Sequence, residues 1–302
     1  MLIVFVLGVL ISYSRQCVLA VNAQQLQPVE TQVWFIPVIA RSDPISIIVD
    51  HRHTDPSQIP QYWIDQARTF TMHYAHTSHG SQITSGLNWL ETQDARYNVD
   101  IRENKTEGLP GDTTALRIYD GNPPETYIGP EDYWSSQDGI NRTSVVAATG
   151  HYNFSMWSWC GQQSSNSNET VGQYLDQMDA FEATFPTMRF ILMTGHTDGT
   201  DLDGVLFRNN DLVRQYALVN GKVLFDFADI ETFTPQGDGP FYNDSQGNCT
   251  WCADYCAEHP GFCDSLPASC AHSSNTPQAR LFCKLKAGAF WWMMARLAGW
   301  QG

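Results

Sequence analysis

The stretch Phe70-Thr-Met-His-Tyr-Ala-His-Thr-Ser-His-Gly-Ser-Gln-Ile83 decides the fold. It reads as an apolar strand, a turn of small and polar residues, and the start of a helix carried on by Leu87 and Leu90 at spacings of four and three. A strand–turn–helix of this kind lifts a hydroxyl, here that of Ser78, out of a sheet and aims the first helical amides at the same spot. Downstream, strands are expected at Thr114–Tyr119, Phe154–Cys160, Arg189–Thr194 and Lys222–Phe227, with an extra one at Ile45–Val49. The runs Phe190–Met193 and Val223–Phe225 are continuously apolar, as in strands covered on both faces.

Helical spacing links these strands. Val171, Tyr174, Leu175, Met178, Phe181 and Phe185 follow it between Ser167 and Pro186, and Val205, Leu212, Val213 and Tyr216 repeat it before Asn220-Gly221. Tyr62–Arg68 reads as a short helix, and Pro277 opens a last, nearly all-apolar helix reaching Gly299. Strand and helix in alternation predict a three-layer α/β/α fold around a parallel sheet. Residues 1–23 read as a signal peptide, from the apolar run Leu2–Ile11 and the cleavage-like Val21-Asn-Ala23; Ser12 to Gln16 break that run too early to span a bilayer. Residues 24–302 are then one domain, with 234–270 a Gly- and Cys-rich insertion before the last helix.

The chain is 16% charged and 12% aromatic, which excludes a disordered protein, and its net charge of -15 argues against nucleic acid. Six sequons, at Asn104, Asn141, Asn153, Asn168, Asn243 and Asn248, predict a glycoprotein surface. Of eight cysteines, Cys249, Cys252, Cys256, Cys263, Cys270 and Cys283 cluster. In an exported chain they read as up to three disulfides of open pairing, ahead of half a zinc site at Cys249-x-x-Cys252. Cys160 is left over and is expected to be an inert buried thiol, and Cys17 falls within or near the signal.

Ligands of open α/β sheets bind beyond the carboxyl ends of the strands. There the sequence places His76, Ser78, His79, Gly121, Gln162, His196, Asp198 and Asp229. A nucleophilic Ser78 needs a base, and His272, just ahead of the last helix, is in place to reach it; His76, His79 and His196 are rivals. The block His76-Thr-Ser78 after the first strand and the late His272 resemble the SGNH (GDSL-type) hydrolase superfamily in its flavodoxin-like form. More narrowly, Asp50-His-Arg-His-Thr-Asp55, Trp157-Ser-Trp-Cys-Gly-Gln162, Met193-Thr-Gly-His196 and Phe225-Asp-Phe-Ala-Asp-Ile-Glu231 resemble secreted SGNH-like bacterial proteins.

That resemblance implies a secreted serine esterase acting on a small-molecule or polysaccharide ester, with a carbohydrate ester as substrate class and no cofactor. Ser78 would be the nucleophile and His272 the base; Asp198, Asp229 or Asp264 would orient it, since Ser269 stands where the superfamily carries aspartate. The Ser78 and Gly121 amides and the Gln162 side chain would hold the oxyanion, with His79 and His196 lining the substrate. Two other readings remain: a metal-dependent hydrolase using His79, His196 and Asp198, and a non-catalytic glycan-binding protein displaying Trp134 and Trp251.

Overall fold

Apolar runs bounded by turn residues become the strands of one sheet in a computed structural model that describes residues 46–302. The expected signal segment, residues 1–23, and the chain up to residue 45 lie outside the described residues. The strands are β1 (Ile47–Val49), β2 (Thr71–His76), β3 (Val99–Glu103), β4 (Leu116–Asp120), β5 (Phe154–Ser158), β6 (Arg189–Met193) and β7 (Val223–Phe225). Their spatial order is β1-β7-β6-β5-β2-β4-β3, and every neighbouring pair is parallel.

The helices are α1 (Gln61–Ala67), α2 (Ser81–Gln93), α3 (Gln137–Ala148), α4 (Asn168–Thr184), α5 (Val205–Val219), α6 (Phe227–Thr232), α7 (Cys252–Glu258), α8 (Pro260–Cys263) and α9 (Leu281–Leu297). From β2 the chain steps through α2 toward the β3 edge; from β5 it steps through α4 and α5 toward the β1 edge. Right-handed crossovers in opposite directions place their helices on opposite faces, which gives the three layers. On one face α1, α2 and α9 pack together, and on the other α4 and α5 pack against each other and β6. The helix α9 is buried from Leu281 through Ala295 except at half-buried Lys284, which explains its largely apolar character. It lies so close to α2 that a Cβ on Gly86 would sit 2.0 Å from the Cys283 carbonyl oxygen. Any larger residue would force the two helices apart.

Two elements carry no strong periodic signal. Edge strand β3 offers only Val99 and Ile101 as apolar residues, and α3 buries Gly139, Thr143, Val146 and Ala147, a small and partly polar face. The insertion is ordered by α7, α8 and the disulfides Cys249–Cys252 and Cys256–Cys263, while Cys270–Cys283 ties its end to α9. The last helix is preceded by a separate 3-10 turn, Gln278–Arg280. Trp134 and Trp251, expected at the surface, are each 3% exposed. Trp134 packs edge-on against Trp157, Trp159 and Tyr174, and the Trp251 indole donates to the Glu231 carbonyl. Among the described residues no helix is long and apolar enough to cross a membrane.

Candidate functional site

Strands β2 and β5 are neighbours, and the chain leaves them toward opposite edges of the sheet. This reversal opens a crevice at their carboxyl ends, the usual ligand position of an open parallel sheet. Four segments deliver side chains there. Beyond β2, Thr77 leads into a 3-10 turn, Ser78–Gly80, that runs into α2. Beyond β5 comes Cys160, beyond β6 comes His196, and His272 precedes α9.

The centre of the cluster is the Cys160 sulfur. It lies 3.0 Å from Ser78 Oγ and 3.3 Å from His79 Nδ1, and His196 is its third partner. The Nδ1–H of His196 donates to the Thr197 carbonyl at 2.6 Å, so its Nε2 is the nitrogen left to face the sulfur. Burial alone would push the Cys160 thiol up; the hydrogen bonds from His196, His79 and Ser78 outweigh it and bring the thiol down to about 4. Burial would likewise lower His196, but its bond to Cys160 and the nearby Glu231 carboxylate leave it raised. His79 goes the other way: burial dominates and lowers it, and its Nε2 has no hydrogen-bond partner among the described residues. The site therefore favours a thiolate at Cys160, with His196 shifted toward its protonated form, His79 shifted away from it, and the Ser78 hydroxyl as a further donor.

The rings form a stack. His79 and His196 are 3.5 Å apart between centroids at 9°, and His272 covers the other side of His79 at 4.1 Å and 13°. Cys160, His79 and His196 make a chemically suitable donor set for a metal, with donor atoms within 4.8 Å of one another. Their orientation does not suit one. Near-parallel rings separated by 3.5 Å hold their in-plane lone pairs in two separate, nearly parallel planes, so one ion at the roughly 2.0–2.3 Å that zinc requires would lie far out of the plane of at least one ring. A sulfur accepting N–H bonds fits the same arrangement without any ring rotation.

The structure brings together Ser78, His79, His196 and His272 of the expected site, and adds Cys160. Ser78 stands at the expected turn, yet its oxygen meets the cysteine and not His272. His272 is exposed, with φ of 56°, and its ring makes no hydrogen bond among the described residues. Asp198 accepts from Thr200 N and Oγ1 at 3.0 and 2.6 Å, ordering its own turn and not His272. Asp229 holds His51 at 2.5 Å, away from the stack. The Gly121 amide is spent on the Tyr74 carbonyl at 2.9 Å and is not free for an oxyanion, whereas the Gln162 side chain accepts from the Cys160 amide through Oε1 at 2.7 Å and keeps its Nε2 donors unspent among the described residues. His76 is held by the Thr77 carbonyl and Asp120.

Cys160, expected to be inert, is only partly buried and opens on a cleft of about 540 Å³ lined also by Thr77, Tyr127, Glu131, Gly161 and Gln162. The available signal was its place at the end of β5 in Trp159-Cys-Gly-Gln162, facing the end of β2. Fold and site together define an open-sheet α/β protein with a cysteine–histidine centre at its switch point. Comparison with protein-family models, curated proteins and solved structures found no match.

Proposed function

We propose that this chain is a hydrolase of carboxylic esters that works by acyl transfer through Cys160. The observation that carries the reading is the Cys160 sulfur set among Ser78, His79 and His196, with its proton affinity lowered to about 4. A thiolate of that affinity is a nucleophile ready at neutral pH but too weak a base to take the proton of a serine hydroxyl. The Cys160 sulfur attacks the carbonyl carbon, forming a C–S bond. The leaving alkoxide departs with the proton of His196 Nε2. Water, deprotonated by His196, then attacks the thioester, releases the acid and restores the thiolate. The Ser78 amide, which meets no acceptor among the described residues, is the donor assigned to the oxyanion.

Three disulfides suit an oxidising, extracellular setting, and the SGNH-like resemblance makes a carbohydrate ester the substrate class. A second reading has Ser78 as the attacking group, favoured by its strand–turn–helix position. Turnover of a short-chain nitrophenyl ester separates the two. In the thiol reading Cys160→Ala loses roughly 10³-fold or more, while Ser78→Ala, missing one donor to the sulfur, keeps most activity. The reverse ranking establishes the serine reading. Activity lost to a chelator, with stoichiometric metal in the protein, overturns both.

A further inference from the structure

Beneath the ring stack runs a chain of buried polar groups that the proposed reaction does not use. Glu231 on α6 accepts from Thr197 N at 2.7 Å and Thr197 Oγ1 at 2.9 Å with one oxygen, and from Lys286 Nζ at 2.6 Å with the other. Lys286, on α9, also donates to Gln82 Oε1, and Gln82 Nε2 donates to the Ala271 carbonyl at 2.5 Å. Gln82, Glu231 and Lys286 have no solvent exposure. The chain thus starts at the residue after His196 and ends at the residue before His272.

Burying an ion pair costs several kcal/mol per charge, and an apolar pair of like volume is often no less stable. Its placement needs another reason. We infer that the Glu231–Lys286 pair is a positioning element of the cysteine–histidine centre: through Thr197 it fixes the loop that carries His196 and places a buried carboxylate behind the histidine that faces Cys160. The inference rests on the thiol reading above.

The geometry supports one direction of influence. His196 faces His79 from the β2 end, Cys160 from the β5 end, Asp198 on its own loop, and the Gly247 backbone of the insertion. His272 lies beyond His79. Asp198 and, behind the loop, Glu231 are the carboxylates that act on His196 among the described residues. Asp198 is half-solvated and occupied by Thr200, whereas Glu231 is fully buried, where charge is screened least. Lys286 sits on the far side of Glu231, packed over the Phe227 ring at 3.6 Å, and holds the carboxylate ionised in a dry site.

The test is the pH profile of Cys160 alkylation by iodoacetamide, followed on the Cys160 peptide by mass spectrometry, in the wild-type chain and in Glu231→Gln. A second variant, Glu231→Gln with Lys286→Met, avoids leaving an unpaired buried cation. Both variants are expected to move the reactive midpoint up by about one pH unit, an approximately tenfold loss of reactive thiolate below it. If neither variant folds, Thr197→Val, which leaves the ion pair whole, carries the comparison, and Thr197→Ser serves as its rescue. An upward shift in Thr197→Val that Thr197→Ser reverses supports the inference. Folded variants with the wild-type profile overturn it. A wild-type Cys160 that titrates as an ordinary thiol overturns the thiol reading itself, a distinguishable result.

Discussion

Replacing His196 by alanine should raise the Cys160 thiol by about two pH units. The sulfur is hydrogen-bonded to Ser78 Oγ and His79 Nδ1, and His196 is the third donor that faces it and lowers it. A hydrogen bond to a charged group contributes about 1.5–3 kcal/mol, so three together supply roughly 5–9 kcal/mol in favour of the thiolate. The thiol falls from 9.0 to about 4. That drop of about five units is a net gain of about 7 kcal/mol at 1.36 kcal/mol per unit, left after the donors have also offset the burial that raises the thiol, so they act toward the upper end of the range. His196 heads the three donors, so its loss costs about 2–3 kcal/mol and leaves a thiol titrating near roughly pH 6. At pH 5 the thiolate fraction then falls by about tenfold. Thiolate ultraviolet absorbance and iodoacetamide rates against pH measure both quantities, and Cys160 is the free cysteine among the described residues. Wild-type reactivity that rises only near pH 8.5, or a His196→Ala profile identical to wild type, refutes the reasoning.

Three further outcomes follow from the same contacts. Gly247 has φ of +78°, and a Cβ there would lie 2.9 Å from His79 Nε2 and 3.2 Å from His196 Nδ1. Gly247→Ala should therefore displace the stacked rings and cut ester turnover, while costing about 1–3 kcal/mol in urea unfolding. Replacing both Cys270 and Cys283 by serine should cost about 3 kcal/mol, as expected for a cross-link spanning 13 residues, and should loosen the segment carrying His272. Trp157 is fully buried with its indole bonded to the Ile128 carbonyl, so Trp157→Ala should lower stability by about 3–5 kcal/mol in thermal or urea unfolding.

Much of the fold was legible because the inner strands are buried on both faces. Runs such as Phe190–Met193 leave little choice of environment, and the helices α4 and α5 show their buried stripes openly. Edge strand β3 and helix α3 escaped notice because a short half-exposed strand and a face of Gly, Thr and Ala carry little hydrophobic signal. The site was half legible. Strand ends named Ser78, His79 and His196, since polar residues after apolar runs mark the functional edge of a parallel sheet. Sequence spacing says nothing about which of those residues touch, because contact across strand ends is set by sheet order. The reversal between β2 and β5 puts Cys160 against Ser78, and a loop bound to α9 lays His272 on His79 instead. Asp198 looked like an orienting acid but serves its own turn, an ordinary use of aspartate before a threonine.

The account is tested most directly by finding where the acyl group goes. The protein is mixed with a short-chain nitrophenyl ester, quenched in acid within the first turnover, digested and read by mass spectrometry. Acyl transfer through sulfur predicts an added acyl mass on the peptide bearing Cys160 that is lost on treatment with neutral hydroxylamine. The same mass on the peptide bearing Ser78, with Cys160 unmodified, contradicts it.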